Sequence, residues 1–272
     1  MYIDGSLKRN WLLLAMRVKV LLCLMLLFGC DQTENEKDTG NRIVSLSPGI
    51  TATISDLGLN NLVVGRSAFC KTVDKSVPVV GDIYKVDYER LLRLNPSYVF
   101  VQETSGDLDS HLKELASQGN FTLISWRVDR IVDIQQLHDE LVELFCIDKP
   151  PFELAIERSN QKFPSPILIM TLGSEGASGL CFGQDTYLND ILEIIGCVNA
   201  IHSSGWLSLS LEDIAKLNPE LILVVSDTKM PISNGIHTLD IPVIEFIHKD
   251  VLIPSSKIVN VAVKLQEKLE SQ

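Results

Sequence analysis

Asp87-Tyr-Glu-Arg-Leu-Leu-Arg-Leu-Asn-Pro96, followed by Ser-Tyr-Val-Phe-Val, returns later in the chain in altered form. The second copy is Ser210-Leu-Glu-Asp-Ile-Ala-Lys-Leu-Asn-Pro219, followed by Glu-Leu-Ile-Leu-Val. Each copy starts at an N-cap residue, Asp87 or Ser210, and continues as a short amphipathic helix into Leu-Asn-Pro. There the proline forbids further helix, and a β-rich apolar strand follows. Two copies of one helix–turn–strand unit predict two similar lobes, with a ligand space between them. Each copy also places a glutamate, Glu89 or Glu212, in its first helical turn. Carboxylates there complement the helix dipole, and an ancestral duplication gives the same match. The shared register also suits a paired surface role.

Working outward, Arg42-Ile-Val-Ser-Leu is a short strand, and Ser47-Pro48 caps and opens a helix that runs to Leu57 and stops at Gly58. Leu62–Gly65 and Pro78–Gly81 are expected strands. Leu108–Gly119 has helical spacing, and Phe121–Trp126 is a strand. From Ile131 to Phe145 apolar residues recur at helical spacing, and after Pro151 a second helical stretch is expected to about Phe163. Ile167–Met170 opens a second half that replays the order of the first. It has a helix over Tyr187–Ile195, the second repeat, a strand at Pro242–Phe246 and a terminal helix from about Ser255. The expected fold class is α/β: two lobes with mainly parallel sheets, joined by a single helical connector, with the ligand cleft between lobes. The expected divisions are a signal peptide (1–29), a flexible tether (30–40), an N-terminal lobe (41–130), the connector (131–164) and a C-terminal lobe (165–272).

The 272-residue chain carries a formal charge of −11. Residues 1–29 hold Lys8, Arg9, Arg17 and Lys19 against Asp4, so a processed chain is three charges more negative. Such acidity, with no basic helix or arginine cluster, argues against nucleic-acid binding. Arg17 and Lys19 precede the apolar run Val20–Phe28, too short to span a bilayer but suited to a signal-peptide core. It ends Leu27-Phe28-Gly29-Cys30, like a bacterial lipobox whose cysteine is acylated; an ordinary signal peptide with an incidental cysteine is the alternative. Met16-Arg-Val-Lys begins a compact signal by itself, so Met16 competes with Met1 as the start. The polar stretch after Cys30 suits a tether, and a diacylglyceryl anchor gives durable membrane attachment. Asp31 resembles a signal for retention at the inner membrane where two membranes exist. Cys70, Cys146, Cys181 and Cys197 allow three full disulfide pairings, with buried free thiols as the alternative.

Walker, Gly-x-Gly-x-x-Gly, Gly-x-Ser-x-Gly and His-Glu-x-x-His motifs are all missing, so no enzyme activity is expected. The loop Gly173–Gly179 lacks a Gly-Lys-Ser/Thr ending and holds Glu175, which favours a rim loop over a phosphate cradle. His202, His237 and His248, with Glu245, fall in the second half, against His111 and His138 in expected helices of the first. That distribution fits solvated or structural histidines better than a metal cage, and no metal site is expected. Trp206, in a Gly/Ser-flanked loop before the second repeat helix, is placed either to stack on a planar ligand or to cover the core. Tyr84 precedes the first repeat helix in the same way, so the two are candidates to face each other across a cleft.

Together these segments resemble the iron/vitamin B12 periplasmic-binding family, the solute-binding lipoproteins of ABC importers. The residues that carry the likeness are Arg42-Ile-Val-Ser-Leu-Ser-Pro, Val64-Gly-Arg, Val79-Val-Gly-Asp and Tyr88-Glu-Arg-Leu-Leu-Arg-Leu-Asn-Pro. Gly196-Cys-Val-Asn-Ala, Trp206-Leu-Ser-Leu-Ser-Leu-Glu-Asp and Ile241-Pro-Val-Ile complete the order over about residues 41–270. The resemblance implies an extracytoplasmic receptor that captures a bulky chelate (cobalamin, ferric siderophore or haem) as cargo, with no cofactor of its own. It implies an ABC permease as partner, docking on Glu89 and Glu212, with the receptor a monomer at the periplasmic face of the membrane. The implied ligand contacts are Ser47, Pro48, Phe69, Tyr84, Gln102, Leu180, Trp206 and Lys249. Trp206 matches a ring-stacking position of the cobalamin-binding members, whereas Gln102 stands where those members carry an aromatic. Lys249 and Ile253 replace an acidic and a basic cleft residue. A zinc or manganese receptor of similar architecture and a non-transport sensor or scaffold lipoprotein are the alternatives.

Overall fold

The computed structural model describes residues 40–104, 106–161, 163–173 and 179–271. The expected signal peptide, Cys30, the tether up to residue 39 and most of the Gly173–Gly179 loop lie outside the described residues. No helix among the described residues is long and apolar enough to cross a membrane.

The first half alternates strand and helix. Strand β1 (Ile43–Ser45) leads into α1 (Pro48–Asp56), which Ser47 caps by accepting from the Ile50 N–H at 3.4 Å. The helix stops at Gly58, whose φ of 81° is open to glycine at no steric cost. After β2 (Val63–Arg66), α2 (Tyr88–Arg93) is capped by Asp87, whose Oδ1 accepts from the Arg90 N–H at 3.0 Å. Strand β3 (Tyr98–Gln102), α3 (Ser110–Ser117) and β4 (Thr122–Trp126) follow. The four strands pair in parallel in the order β2-β1-β3-β4. Pro78–Gly81, expected as a strand, makes only isolated bridges, Val79 in parallel with Arg66 and Gly81 antiparallel with Val86. Pro78 has no N–H to extend the ladder, and Gly81, at φ 130°, turns the chain away.

Helix α4 (Ile131–Leu144) matches its helical spacing closely. The second helical stretch of the connector does not form: residues 151–159 carry no regular secondary structure. Phe152, Leu154 and Ile156 alternate with Glu153, Ala155 and Glu157, and the alternate apolar residues lie on the core. A period of two after two prolines is an extended pattern, and that period overrode the helix reading.

In the second half, β5 (Ile167–Met170), β6 (Leu180–Phe182), α5 (Tyr187–Ile195) and β7 (Trp206–Ser208) precede the second repeat. There α6 (Leu211–Leu217) is capped by Ser210, which accepts from the Asp213 N–H at 3.1 Å, and β8 (Leu221–Ser226) follows. The chain ends through α7 (Asn234–His237), β9 (Val243–Ile247) and α8 (Ile258–Glu270). The sheet order is β7-β6-β5-β8-β9, parallel across β5, β8 and β9 and antiparallel at β6 and β7. Trp206 therefore stands on an antiparallel edge strand rather than in a loop. The strand of each repeat, β3 or β8, occupies the same place, in parallel between the first and last strands of its half.

Residues 41–272 form one unit, and a single buried cluster passes through both halves. Along β8, Leu221, Leu223 and Val225 face that shared cluster while Ile222 and Val224 face a separate one behind the sheet. Burial on both faces is what a helix-covered parallel sheet requires. The halves are also tied by the C-terminal segment against α1. Ser256 donates to Asp56 at 2.7 Å, and a Cβ on Gly49 would overlap the Pro254 carbonyl oxygen.

Candidate functional site

A cleft of about 1060 Å³ opens at the carboxyl ends of β3 and β4 and is closed on its other side by the second half. Ligands in open α/β sheets commonly bind at this end of the strands. Its first-half wall comes from Gln102 at the end of β3, from Glu103 and Thr104 after it, and from Arg127, Asp129, Arg130 and Asp133 after β4. The opposite wall is Leu180, Asp185, Ser204, Gly205 and Trp206. Leu180 is 49% exposed and Trp206 41%, so both offer apolar surface to the cleft. Trp206 is held edge-on to Phe182, ring centroids 6.5 Å apart.

A smaller cavity of about 130 Å³ adjoins it, lined in part by Ser47, Pro48, Phe69, Tyr84 and Gln102. Gln102 borders both spaces and accepts from the Ser47 hydroxyl at 3.0 Å. Phe69 (62% exposed) and Tyr84 (85%) project from turns held by their own hydrogen bonds. The Phe69 N–H donates to Ser67 at 3.0 Å, and the Tyr84 N–H donates to Asp82 at 2.8 Å. Seven of the eight expected ligand contacts thus fall on two adjoining spaces. Tyr84 and Trp206 lie on different ones, with Gln102 between. The eighth, Lys249, is an exposed residue of the turn after β9 and lines neither space.

Charged residues at the cleft floor went unnoticed in the sequence. Arg130, at the start of α4, reaches Asp190 of α5 at 2.6 Å and Asp185 at 2.6 Å. Asp190 also accepts from the Ile131 N–H at 2.9 Å, and Asp185 accepts from the Ser204 hydroxyl at 2.6 Å. The Asp190 hydrogen bond, opposed by partial burial, holds the Arg130 guanidinium above its usual range. Arg127 pairs with Asp129 at 2.8 Å, which raises it in the same way. Asp133 accepts from the backbone N–H groups of Asp129 and Arg130 at 3.1 and 2.9 Å, fixing the strand-to-helix turn. Arg130 is 55 residues from Asp185 and 60 from Asp190 in sequence, so no local pattern announces that group.

Glu89 and Glu212 are the second residues of α2 and α6. Both are largely exposed, and each is paired with a cation one turn on: Glu89 with Arg93, and Glu212 with Lys216 at 2.9 Å. Cys70, Cys181 and Cys197 are buried free thiols and Cys146 is exposed and free. Among the described residues no group of three or more His, Cys, Asp or Glu side chains is arranged to hold a metal ion. His138 instead contacts Asp139 at 2.9 Å within α4, and His248 stacks on Phe246.

No family model matches the chain. The uncharacterized ABC transporter substrate-binding lipoprotein YvrC of Bacillus subtilis (strain 168) is 26% identical over 217 residues, 73% of this chain and 68% of that protein. The periplasmic heme binding protein HutB of Vibrio cholerae superposes with a TM-score of 0.67 at 20% identity, over 83% of this chain and 97% of that one. The periplasmic vitamin B12 binding protein BtuF of Vibrio cholerae gives 0.57 at 16% identity, over 85% and 97%. The chain has the two-lobed α/β fold of the periplasmic binding proteins. These likenesses bear out the resemblance that the sequence motifs carry.

Proposed function

We propose that this chain is the substrate-binding lipoprotein of an ABC importer, capturing a bulky metal chelate in the cleft and delivering it to the permease. The observation that carries the reading is the cleft itself. At about 1060 Å³ it lies at the upper end of small-molecule sites, and the exposed faces of Trp206 and Leu180 offer it an apolar wall. The fold shared with heme- and vitamin B12-binding proteins and the relationship to YvrC support the same reading. Cobalamin, a ferric siderophore and haem are the ligand classes. The chain binds and releases without catalysing a reaction.

In this reading residues 1–29 are the signal peptide, and acylated Cys30 anchors a tether (30–40) to the outer leaflet of the cell membrane. Asp31 favours the inner membrane where there are two. Residues 41–130 and 165–272 are the lobes, and 131–164 connect them. Glu89 and Glu212 orient the loaded monomer on arginines of the permease. Closure on the ligand is limited, because α4 and the Ser256–Asp56 contact bind the halves together.

The test is thermal stabilisation by cobalamins, haem and ferric siderophores, set against zinc and manganese ions. A bound chelate at a hundredfold excess over its dissociation constant adds about 2.7 kcal/mol. A shift with free metal ions alone overturns the proposal.

A further inference from the structure

The charges around the cleft narrow the ligand further, on the reading that the cleft is the chelate site. Among its described lining residues, four carboxylates (Glu103, Asp129, Asp133 and Asp185) stand against two guanidinium groups, Arg127 and Arg130. Both guanidinium groups are already matched, Arg127 by Asp129 and Arg130 by Asp185 and the buried Asp190. Each arginine already shares its charge with a carboxylate, so an anionic ligand that reaches either one also meets the negative charge beside it and gains less than from an unpaired cation. The surplus carboxylates are held by neutral donors. Glu103 accepts from the Ser125 hydroxyl at 2.7 Å and Asp133 from two backbone N–H groups. Those donors are uncharged and leave the carboxylate charge uncancelled. The chain as a whole is also negative, at −11, so its long-range field repels anions before contact.

We infer that the cleft selects a chelate without net negative charge, neutral or cationic, and disfavours chelates that carry free carboxylates or a polyanionic iron centre. Trp206 and Leu180 supply attraction for the apolar face of the ligand, and the acidic floor decides which ligands stay.

The experiment is quenching of intrinsic tryptophan fluorescence, at low and high salt, by four bulky metal chelates of different charge. These are cyanocobalamin, a ferric trihydroxamate with a pendant ammonium, haem, and a trianionic ferric tris-catecholate. The neutral and cationic probes are expected to bind at least about tenfold more tightly than the two anions at low salt, a gap that closes as salt screens the floor. The double variant Asp129→Asn with Asp185→Asn is expected to raise the ratio of haem affinity to cyanocobalamin affinity about tenfold at low salt, and a ratio that does not move overturns the charge inference. Asparagine keeps the shape at both positions and tolerates the left-handed backbone of Asp185, φ 58°. Tightest binding by haem or the catecholate overturns the charge inference and leaves the chelate-receptor reading standing. Binding of none of the four overturns both.

Discussion

Arg130 Nη2 lies 2.6 Å from Asp190 Oδ1, joining the start of α4 to the first turn of α5 across the two halves of the molecule. The carboxylate is nearly buried, whereas the guanidinium keeps 38% of its surface and reaches out to Asp185 as well. One arginine therefore fastens the halves together and forms part of the floor of the cleft. Because Asp190 also holds the Ile131 N–H, the pair fixes where α4 begins.

Replacing Asp190 by Asn removes the charge and one of the acceptor's strong bonds while keeping the shape. With Arg130 partly solvated, the expected loss is about 1–3 kcal/mol rather than the full cost of orphaning a buried ion. A urea titration measures it as a lower midpoint with little change in slope. A midpoint equal to that of the unaltered protein refutes a structural role for the pair.

Asn95 and Asn218, the asparagines of the two Leu-Asn-Pro motifs, share a left-handed backbone, φ 45° and 49°, and each precedes a buried proline. Asparagine tolerates this region better than residues with an ordinary Cβ. Alanine at either site is expected to destabilise by about 0.5–1.5 kcal/mol, and glycine to leave stability within about 0.5 kcal/mol. The same ranking at both sites, measured by thermal unfolding, is the signature of one repeated turn. Opposite rankings contradict the equivalence.

That turn shows why much of the fold was legible. Its proline, its cap residues and the 3.6-residue spacing all lie within ten residues, and so do the signals that place α1, α4 and α5. The elements that escaped have either a distant cause or a local one outweighed by a stronger apparent pattern. Strand β7 is a strand because Trp206 pairs with Phe182 of β6, and Pro78–Gly81 is limited by what its two end residues do to the ladder. Phe152, Leu154 and Ile156 did carry a local signal, a period of two, which a helix expectation obscured. At the site, aromatic and apolar residues in turns stood out singly. The Arg130–Asp185–Asp190 group joins residues far apart in the chain, and each of them is unremarkable alone.

The buried thiols make stability depend on alkaline pH. Burial pushes Cys181 and Cys197 each up from 9.0 to about 11. A folded-state value above the unfolded one means the neutral thiol is favoured. The contribution is complete below the unfolded value and is lost as pH rises from there through the folded one. The expected loss between about pH 9 and pH 11 is on the order of 1–2 kcal/mol per thiol, seen as falling urea midpoints. The Cys181→Ala, Cys197→Ala double variant is expected to show a flatter slope over that range, whatever its absolute stability. An unchanged slope assigns the alkaline loss to other groups.

Glu89 and Glu212 separate docking from ligand capture. Both side chains are highly exposed, and their partners Arg93 and Lys216 are exposed too, so reversing the charge of both is expected to change stability by less than about 1 kcal/mol. Neither residue lines the cleft or its side cavity, so ligand affinity is expected to stay the same. If the two carboxylates steer the loaded protein onto permease arginines, Glu89→Lys with Glu212→Lys replaces two attractions by two repulsions. Ligand-dependent ATP hydrolysis by the permease is then expected to fall by about tenfold or more, with the larger loss at low salt. Glu114→Lys, on the exposed face of α3, controls for a general effect of added positive charge. Ligand-dependent ATP hydrolysis that survives the double reversal, with ligand affinity intact, shows that these helices are not the docking surface, whereas its absence with the unaltered protein favours the sensor or scaffold reading.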